Sequence, residues 1–203
     1  MGPIFDQMTL YSDQLSESLA INLFAVSQDA MVLSGNLPDN IYKNSYRITG
    51  NIHVNAGQQT IIEAGTEFLF DGEYSFIVDG ILKASGTEGD SIIFTNYNSQ
   101  NAIWKGITLN NQTTETILQY VRISGANKSI GGGIYLYYSD PIFSNILVSE
   151  NLATSGGGMY LAASNPNISN SSIIGNSSND TFFGGGGMFL IGSNPVIENV
   201  IFS

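Results

Sequence analysis

The chain has 203 residues, which is enough for one domain of ordinary size with a buried core. Its 17 acidic and six basic residues give a net charge of -11, which argues against binding nucleic acid through phosphates or binding an anionic membrane surface. The chain has no cysteine, which excludes disulfides and thiolate metal sites. No apolar run is as long as a membrane-spanning helix, which needs about 18 residues.

Residues 1–45 do not share the repeat that follows, and we interpret them as an N-terminal cap or docking segment. Apolar residues from Leu15 to Ala30 recur at the spacing of one helix face, with Ser12 as a candidate N-cap and Gly35 as a stop. This pattern favours an amphipathic helix over the first coil, where unpaired strand edges need a cover. The alternative is a strand at "INLFAVS", which its β-branched and aromatic residues favour.

Short β-type runs begin near residue 46. "GNIHVNAGQQTIIEAGTEFLF" predicts three strands, near residues 52–54, 60–62 and 68–70. Gly80 of "VDGILKASGT" precedes Gly106 of "WKGITLN" by 26 residues, which suggests one coil of the same period. "TILQYVRIS" supplies two further strands, with Tyr120 where the later coils carry Asn.

One phrase then occurs three times: "GGGIYLYYSDPIFSN" from Gly131, "GGGMYLAASNPNISN" from Gly156 and "GGGMFLIGSNPVIEN" from Gly185. The prolines of successive copies are 25 and 29 residues apart, and the glycines and final asparagines keep the same two spacings. The four extra residues of the second interval therefore belong to a loop within "SSNDTFFGG".

Each copy carries three short strands in about 25 residues, which describes one coil of a parallel β-helix. We predict that Ile134, Leu136, Phe143 and Val148 and their counterparts in later coils point into the core. The fold class expected is all-β, a right-handed parallel β-helix of about six coils over residues 46–203.

The polar members of the phrase are predicted to act at the corners of the coil. The residue before each proline is an Asp or Asn whose side chain can bond to turn backbone. The asparagine that ends each phrase is expected at a second corner, where stacked amides can form a ladder. These two rows are Asp140, Asn165 and Asn194, and Asn145, Asn170 and Asn199.

"GQQTIIEAGTEFLF", "VDGILKASGT", "IIFTN" and "WKGITL" resemble the opening coils of bacterial right-handed β-helix proteins of the pectin-lyase-like superfamily. The "GGGIY…PIFSN" coils resemble the repeats of surface β-helix passengers, such as chlamydial polymorphic outer-membrane proteins. The resemblance covers roughly residues 46–203 and implies the fold. It does not select a function, because the superfamily includes lyases, hydrolases, tailspikes, adhesins and structural proteins.

The resembling lyases hold calcium with carboxylates and use an Arg or Lys base on a uronate polymer. Arg122 in "YVRIS" is the best base candidate, although an ordinary solvated arginine pointing outward between Val121 and Ile123 is favoured. Asp79 and Asp90 are the candidate carboxylate pair, because an approach across a turn would let them bind Ca²⁺ or act as acid and base. No carboxylate recurs at the coil period, so turn capping is the preferred interpretation and no cofactor is expected.

His53 is the only histidine, and without a partner motif a metal role is not indicated. Tyr135, Tyr160 and Phe189 occupy equivalent positions, so we expect an aromatic row on one face of the helix. Such a row can stack on sugar rings, but a structural stack across coils is the favoured interpretation.

The sequence therefore predicts an extracellular or cell-surface structural or adhesive β-helix that performs no catalysis. "NPVIENVIFS" stops after a strand, which indicates either a cut from a longer protein or a last coil covered by another molecule. In the second case the chain associates end to end into a fibre, with residues 1–45 as the docking part. The alternatives are a carbohydrate-binding adhesin with a polysaccharide partner, or a polysaccharide lyase or hydrolase.

Overall fold

A computed structural model describes residues 4–10, 19–25, 30–97, 103–180 and 184–203. The chain divides into two compact units, residues 1–30 and residues 31–203. All regular structure in the described residues is β-strand.

The first unit contains an antiparallel strand pair, β1 (Ile4–Leu10) and β2 (Leu19–Ala25), in which Ile4 lies opposite Ala25. The helix that we favoured is therefore wrong for Leu19–Ala25, where the strand alternative is correct. A short apolar run fits either structure, and here a partner strand pairs with it. The predicted helix is also wrong for residues 31–34, which belong to the strand Met31–Asn36. Its remaining parts, residues 13–18 and 26–29, lie outside the described residues.

The described part of the second unit contains 21 short strands. They are β3 (Met31–Asn36), β4 (Asn40–Ile41), β5 (Ser45–Val54), β6 (Gln59–Ile62), β7 (Glu67–Phe70), β8 (Phe76–Val78), β9 (Ile81–Ser85), β10 (Ile92–Asn96), β11 (Ile107–Asn110), β12 (Ile117–Gln119), β13 (Val121–Ser124), β14 (Asn127–Ile130), β15 (Ile134–Tyr137), β16 (Ile142–Ser144), β17 (Leu147–Ser149), β18 (Leu152–Ser155), β19 (Met159–Ala162), β20 (Asn167–Ile174), β21 (Ser177–Ser178), β22 (Met188–Ile191) and β23 (Val196–Phe202).

These strands form a parallel β-solenoid of about six turns, which confirms the predicted fold class. The first sheet contains β7, β10, β13 and β17 with the starts of β3 and β5 and the ends of β20 and β23. The second contains β8, β11, β15, β19 and β22 with the ends of β3 and β5. The third contains β4, β6, β9, β12 and β16 with the starts of β20 and β23.

A short fourth sheet of β14, β18 and β21 lies in the connection between the first and second sheets. The sequence did not predict this sheet. Parallel pairing also begins earlier than residue 46, because β3 and β4 already pair with β5 and β6.

Apolar side chains from the three main sheets fill the interior. Ile134, Leu136, Phe143 and Val148 are fully buried, as their alternation predicted. In the earlier coils aromatic rings stack inside the solenoid, with the Phe68 and Phe94 centroids 4.7 Å apart.

One predicted equivalence in the earlier coils is wrong. Phe76 pairs with Ile107, so Ser75 rather than Gly80 is the counterpart of Gly106. Gly80 lies at the following corner, between β8 and β9, and the similar spacing of the two glycines is a coincidence of coil length.

Candidate functional site

The asparagine that ends each phrase lies at the corner between the third and first sheets, in the left-handed backbone region. The φ angles are 53° at Asn145, 49° at Asn170 and 52° at Asn199, and Tyr120 has 48° at the equivalent corner of an earlier coil. Asn adopts this conformation more readily than most residues, which accounts for its recurrence. One side-chain bond joins the row, from Asn199 Nδ2 to Asn170 Oδ1 at 3.3 Å.

The exposed row before the prolines bonds successive coils to one another. The backbone N–H of Asn165 donates to Asp140 Oδ1 at 2.6 Å, and that of Asn194 donates to Asn165 Oδ1 at 2.7 Å. The side-chain oxygen of each coil thus accepts the turn amide of the next coil. Asp and Asn supply this oxygen equally well, which explains why the residue type varies.

A row of serines lies beside it, in which Ser139 and Ser164 are buried and Ser193 is half-buried. Ser139 N–H donates to Ser164 Oγ at 3.0 Å, and Ser164 N–H donates to Ser193 Oγ at 2.9 Å. The hydroxyls of Ser164 and Ser193 in turn donate to carbonyls two residues earlier in their own coils. These serines therefore satisfy corner amides that have no strand partner.

Sequence reasoning missed a second asparagine row, Asn151 and Asn176, between the first and fourth sheets. Asn151 is buried; its Oδ1 accepts the N–H of Ala126 at 2.9 Å, and its Nδ2 donates to Asn176 Oδ1 at 2.9 Å and to Ile123 O at 3.2 Å. The signal available in the sequence was the spacing of 25 residues between Asn151 and Asn176, which equals that between the first two copies of the phrase.

The glycine triplets allow neighbouring coils to approach closely. Gly156 has a φ of 65° and faces the Cβ of Tyr160 in its own coil. A Cβ at Gly157 would strike the carbonyl oxygens of Ser177 and Gly186 in the next coil. The triplet is therefore a packing requirement of stacked coils and not a ligand loop.

The predicted aromatic row is present on the outer face of the second sheet. The Tyr135 and Tyr160 rings meet edge to face at 5.6 Å, and Tyr160 stacks on Phe189 at 5.0 Å. All three side chains are half-buried, because each ring packs against its neighbours in the row. Tyr137 is the last residue of β15 and Tyr138 follows it; they are 43% and 58% exposed, and their ring centroids are 4.6 Å apart.

Lys128, on β14 of the fourth sheet, reaches over this aromatic row. Its Nζ lies 5.3 Å from the Tyr135 ring centroid and donates to Thr108 Oγ1 at 2.6 Å. Burial lowers the pKa of Lys128, because desolvation disfavours its charged form. Burial also raises the pKa of Tyr135, with smaller contributions from Tyr160 and Tyr137.

The residues considered for catalysis do not form a common site. Asp79 accepts a bond from Asn110 at 2.9 Å, whereas Asp90 pairs with Lys43 at 2.8 Å. The candidate carboxylate pair does not form, because the strand Ile81–Ser85 separates Asp79 and Asp90 and they lie at different corners.

Arg122 is exposed between the buried Val121 and Ile123, as predicted, and lines shallow pockets together with Glu88. His53 is half-buried on the outer side of the second sheet. Within the described ranges, no group of three or more His, Asp or Glu side chains is placed to hold a metal ion.

The described part of the chain contains no helix with the length and apolar character needed to cross a membrane. Comparison of the chain with protein-family models, with curated proteins and with solved structures found no match.

Proposed function

We propose that this chain is a structural β-solenoid module that acts as a rigid scaffold without catalysis. The observation that carries the proposal is the use of the recurring polar residues. Ser139, Asn151 and Asp140 and their counterparts in neighbouring coils bond one coil to the next, so the repeated phrase is accounted for by coil stacking. Repeat arrays built this way form stiff, extended bodies.

We further propose an extracellular or cell-surface location and membership of the pectin-lyase-like superfamily. The support is the resemblance of the opening coils to that superfamily and of the "GGG" coils to surface passengers. A low charged fraction, 11%, and many short hydroxyl and amide side chains fit a surface whose polar groups are bonded to neighbouring coils.

Two measurements on the purified chain test the scaffold proposal. Limited proteolysis is expected to cut only slowly within residues 31–97, 103–180 and 184–203, because cleavage there requires local opening of the ladders. Incubation with uronate and neutral polysaccharides is expected to release no product above a heat-denatured control. Rapid cleavage within the coils, or turnover that Arg122→Ala abolishes, would overturn the proposal.

Carbohydrate binding is a second candidate, favoured by the exposed Tyr137–Tyr138 pair. Tyr138 has a φ of 46°, a conformation that costs a bulky residue about 1–2 kcal/mol, and Ala163 holds the equivalent corner one coil later. An exposed aromatic pair presents the faces on which sugar rings stack. The test is binding of the chain to a glycan panel. Binding that is lost in Tyr138→Ala and kept in the matched control Tyr160→Phe would support this function, and no binding to the panel would reject it.

A further inference from the structure

Four of the ten tyrosines of the chain form one cluster on the outer side of the second sheet and the corner that follows it. Tyr160 contacts Tyr135 at a centroid distance of 5.6 Å, and Tyr135 lies 6.3 Å from Tyr137. Tyr137 and Tyr138 are the closest pair, with centroids 4.6 Å apart and ring planes at 82°. The rings therefore form a continuous series from the half-buried Tyr160 to Tyr138, which is 58% exposed.

Tyr138 occupies a corner that coil stacking does not require to be aromatic. Its counterparts in neighbouring coils are Asn111, Ala163 and Gly192, and all four residues have φ angles between 46° and 59°. Asn and Gly suit this left-handed backbone region, whereas a bulky ring there is an outlier. Strained residues of this kind cluster at functional sites, so the exposed phenol of Tyr138 is a candidate functional group.

The side chains from which an oxidant can take one electron at the surface are mainly tyrosines. The chain has no cysteine, and its single tryptophan, Trp104, is 0% exposed. Methionine is oxidised to the sulfoxide, which forms no cross-link. A phenol that loses one electron and its proton becomes a neutral phenoxyl radical. One-electron oxidation therefore falls on the exposed tyrosines, which among the described residues are Tyr42, Tyr97, Tyr137 and Tyr138.

Ring contacts and local charge distinguish Tyr137 and Tyr138 from the other two exposed tyrosines. A ring that has lost an electron carries positive charge, which the face of a neighbouring ring attracts. Tyr137 and Tyr138 meet edge to face, so the face of one ring stabilises positive charge on the other. The Arg47 guanidinium lies 4.7 Å from the Tyr97 ring centroid and opposes a positive charge there. No ring within the described ranges contacts Tyr42.

The inner members of the cluster favour oxidation at its exposed end. Lys128 Nζ lies 5.3 Å from the Tyr135 ring centroid, and its ammonium charge opposes a positive charge on that ring. Burial raises the pKa of Tyr135, so the loss of its phenolic proton is also disfavoured. Tyr137 and Tyr138 are open to water, which accepts the proton. An electron vacancy formed anywhere in the cluster therefore settles at the exposed pair.

From these contacts we propose that Tyr138 is an oxidative cross-linking site, at which two copies of the chain are joined through dityrosine. In each copy a one-electron oxidant, a haem peroxidase acting with hydrogen peroxide, takes an electron from the phenol while the proton passes to water. The two phenoxyl radicals form a carbon–carbon bond between ring positions ortho to the oxygens, and the hydrogens of those carbons move to the oxygens and restore the phenols. Overall, two tyrosines and one hydrogen peroxide give one dityrosine and two waters. This reaction goes beyond the scaffold function, because it links neighbouring scaffolds covalently.

The experiment is treatment of the full chain with a haem peroxidase and limiting hydrogen peroxide, followed by dityrosine fluorescence and a denaturing gel. The wild type is expected to give a covalent dimer whose cross-linked peptides, identified by mass spectrometry, contain Tyr138. Tyr138→Phe should lose most of this dimer, because the ring remains without its phenol. The matched control is Tyr42→Phe, which removes the more exposed phenol, 65% against 58%, and should cross-link like the wild type. Each substitution removes one hydroxyl from an exposed ring, so neither should disturb the coils.

Reactivity set by exposure alone would give the opposite ranking of the two variants. A larger loss of dimer in Tyr42→Phe than in Tyr138→Phe would overturn the proposal, as would equal losses in both or cross-links that map mainly to another tyrosine. Absence of a covalent dimer, or dityrosine confined to monomers, would overturn it too. Tyr138→Phe keeps the ring on which a sugar would stack, so a glycan panel tests carbohydrate binding separately from cross-linking.

Discussion

Replacing Asn151 with alanine tests the energetic role of the buried side-chain ladder. The substitution removes the bond that Asn151 Oδ1 accepts from Ala126 N–H and those that Nδ2 donates to Ile123 O and Asn176 Oδ1. Asn176 Oδ1 keeps the backbone N–H of residue 151, whereas the Ala126 amide and the Ile123 carbonyl lose these partners in a buried position. At about 1–3 kcal/mol for each of these two unsatisfied buried groups, the free energy of unfolding should fall by about 2–6 kcal/mol.

Urea unfolding followed by far-ultraviolet circular dichroism measures this loss as a lower midpoint with an unchanged slope. The matched control is Asn167→Ala, which removes the same side chain from an exposed position on β20 and should change stability by less than about 0.5 kcal/mol. Equal effects of the two substitutions would refute the ladder as a source of stability.

Three further predictions follow from local packing and burial. Gly157→Ala should cost at least about 2 kcal/mol in urea unfolding because its Cβ meets two carbonyl oxygens, whereas Gly89→Ala, whose Cβ meets nothing within 4 Å, should be neutral. At pH values between the lowered pKa of Lys128 and its ordinary value of 10.5, the unfolded chain holds a proton that the folded chain has lost, so this residue makes stability rise with pH. Lys128→Met should remove that rise, measured as urea midpoints from pH 7 upward. Above pH 10.0, the ordinary pKa of tyrosine, Tyr135 has the opposite effect: its side chain ionises first in the unfolded chain, so stability falls as the pH rises. Tyr135→Phe should reduce this fall without abolishing it, since burial also raises the pKa of Tyr46. A pH profile identical to the wild type in either variant would contradict its assignment.

The coils could be predicted from the sequence because each is built from local rules that recur at a fixed interval. Alternating apolar residues placed Ile134, Leu136 and Phe143 in the core, and all three are buried. The repeated phrase also placed strands at β15, β16 and β17 in the correct order. In the earlier coils the loops differ in length, and there the spacing of Gly80 and Gly106 misled the alignment.

Features that depend on non-local partners could not be predicted in the same way. "LAINLFA" is a strand because Ile4–Leu10 pairs with it, and nothing within the run itself excludes a helix. Asp79 and Asp90 are close in sequence, yet a five-residue strand carries them to different corners. The Asn151 row went unnoticed because it lies in the interval between copies of the phrase, where the surrounding residues differ from coil to coil.

Hydrogen exchange of single backbone amides tests the central claim most directly, that side-chain ladders bond the coils to one another. Ala126, Ser139 and Ile146 lie outside the strands, and their N–H groups donate to Asn151 Oδ1, Ser164 Oγ and Ser171 Oγ. These three corner amides should exchange as slowly as the strand amides beside them, because opening them requires separation of two coils. Exchange at the rate of unstructured loops, with the strands still protected, would contradict the claim.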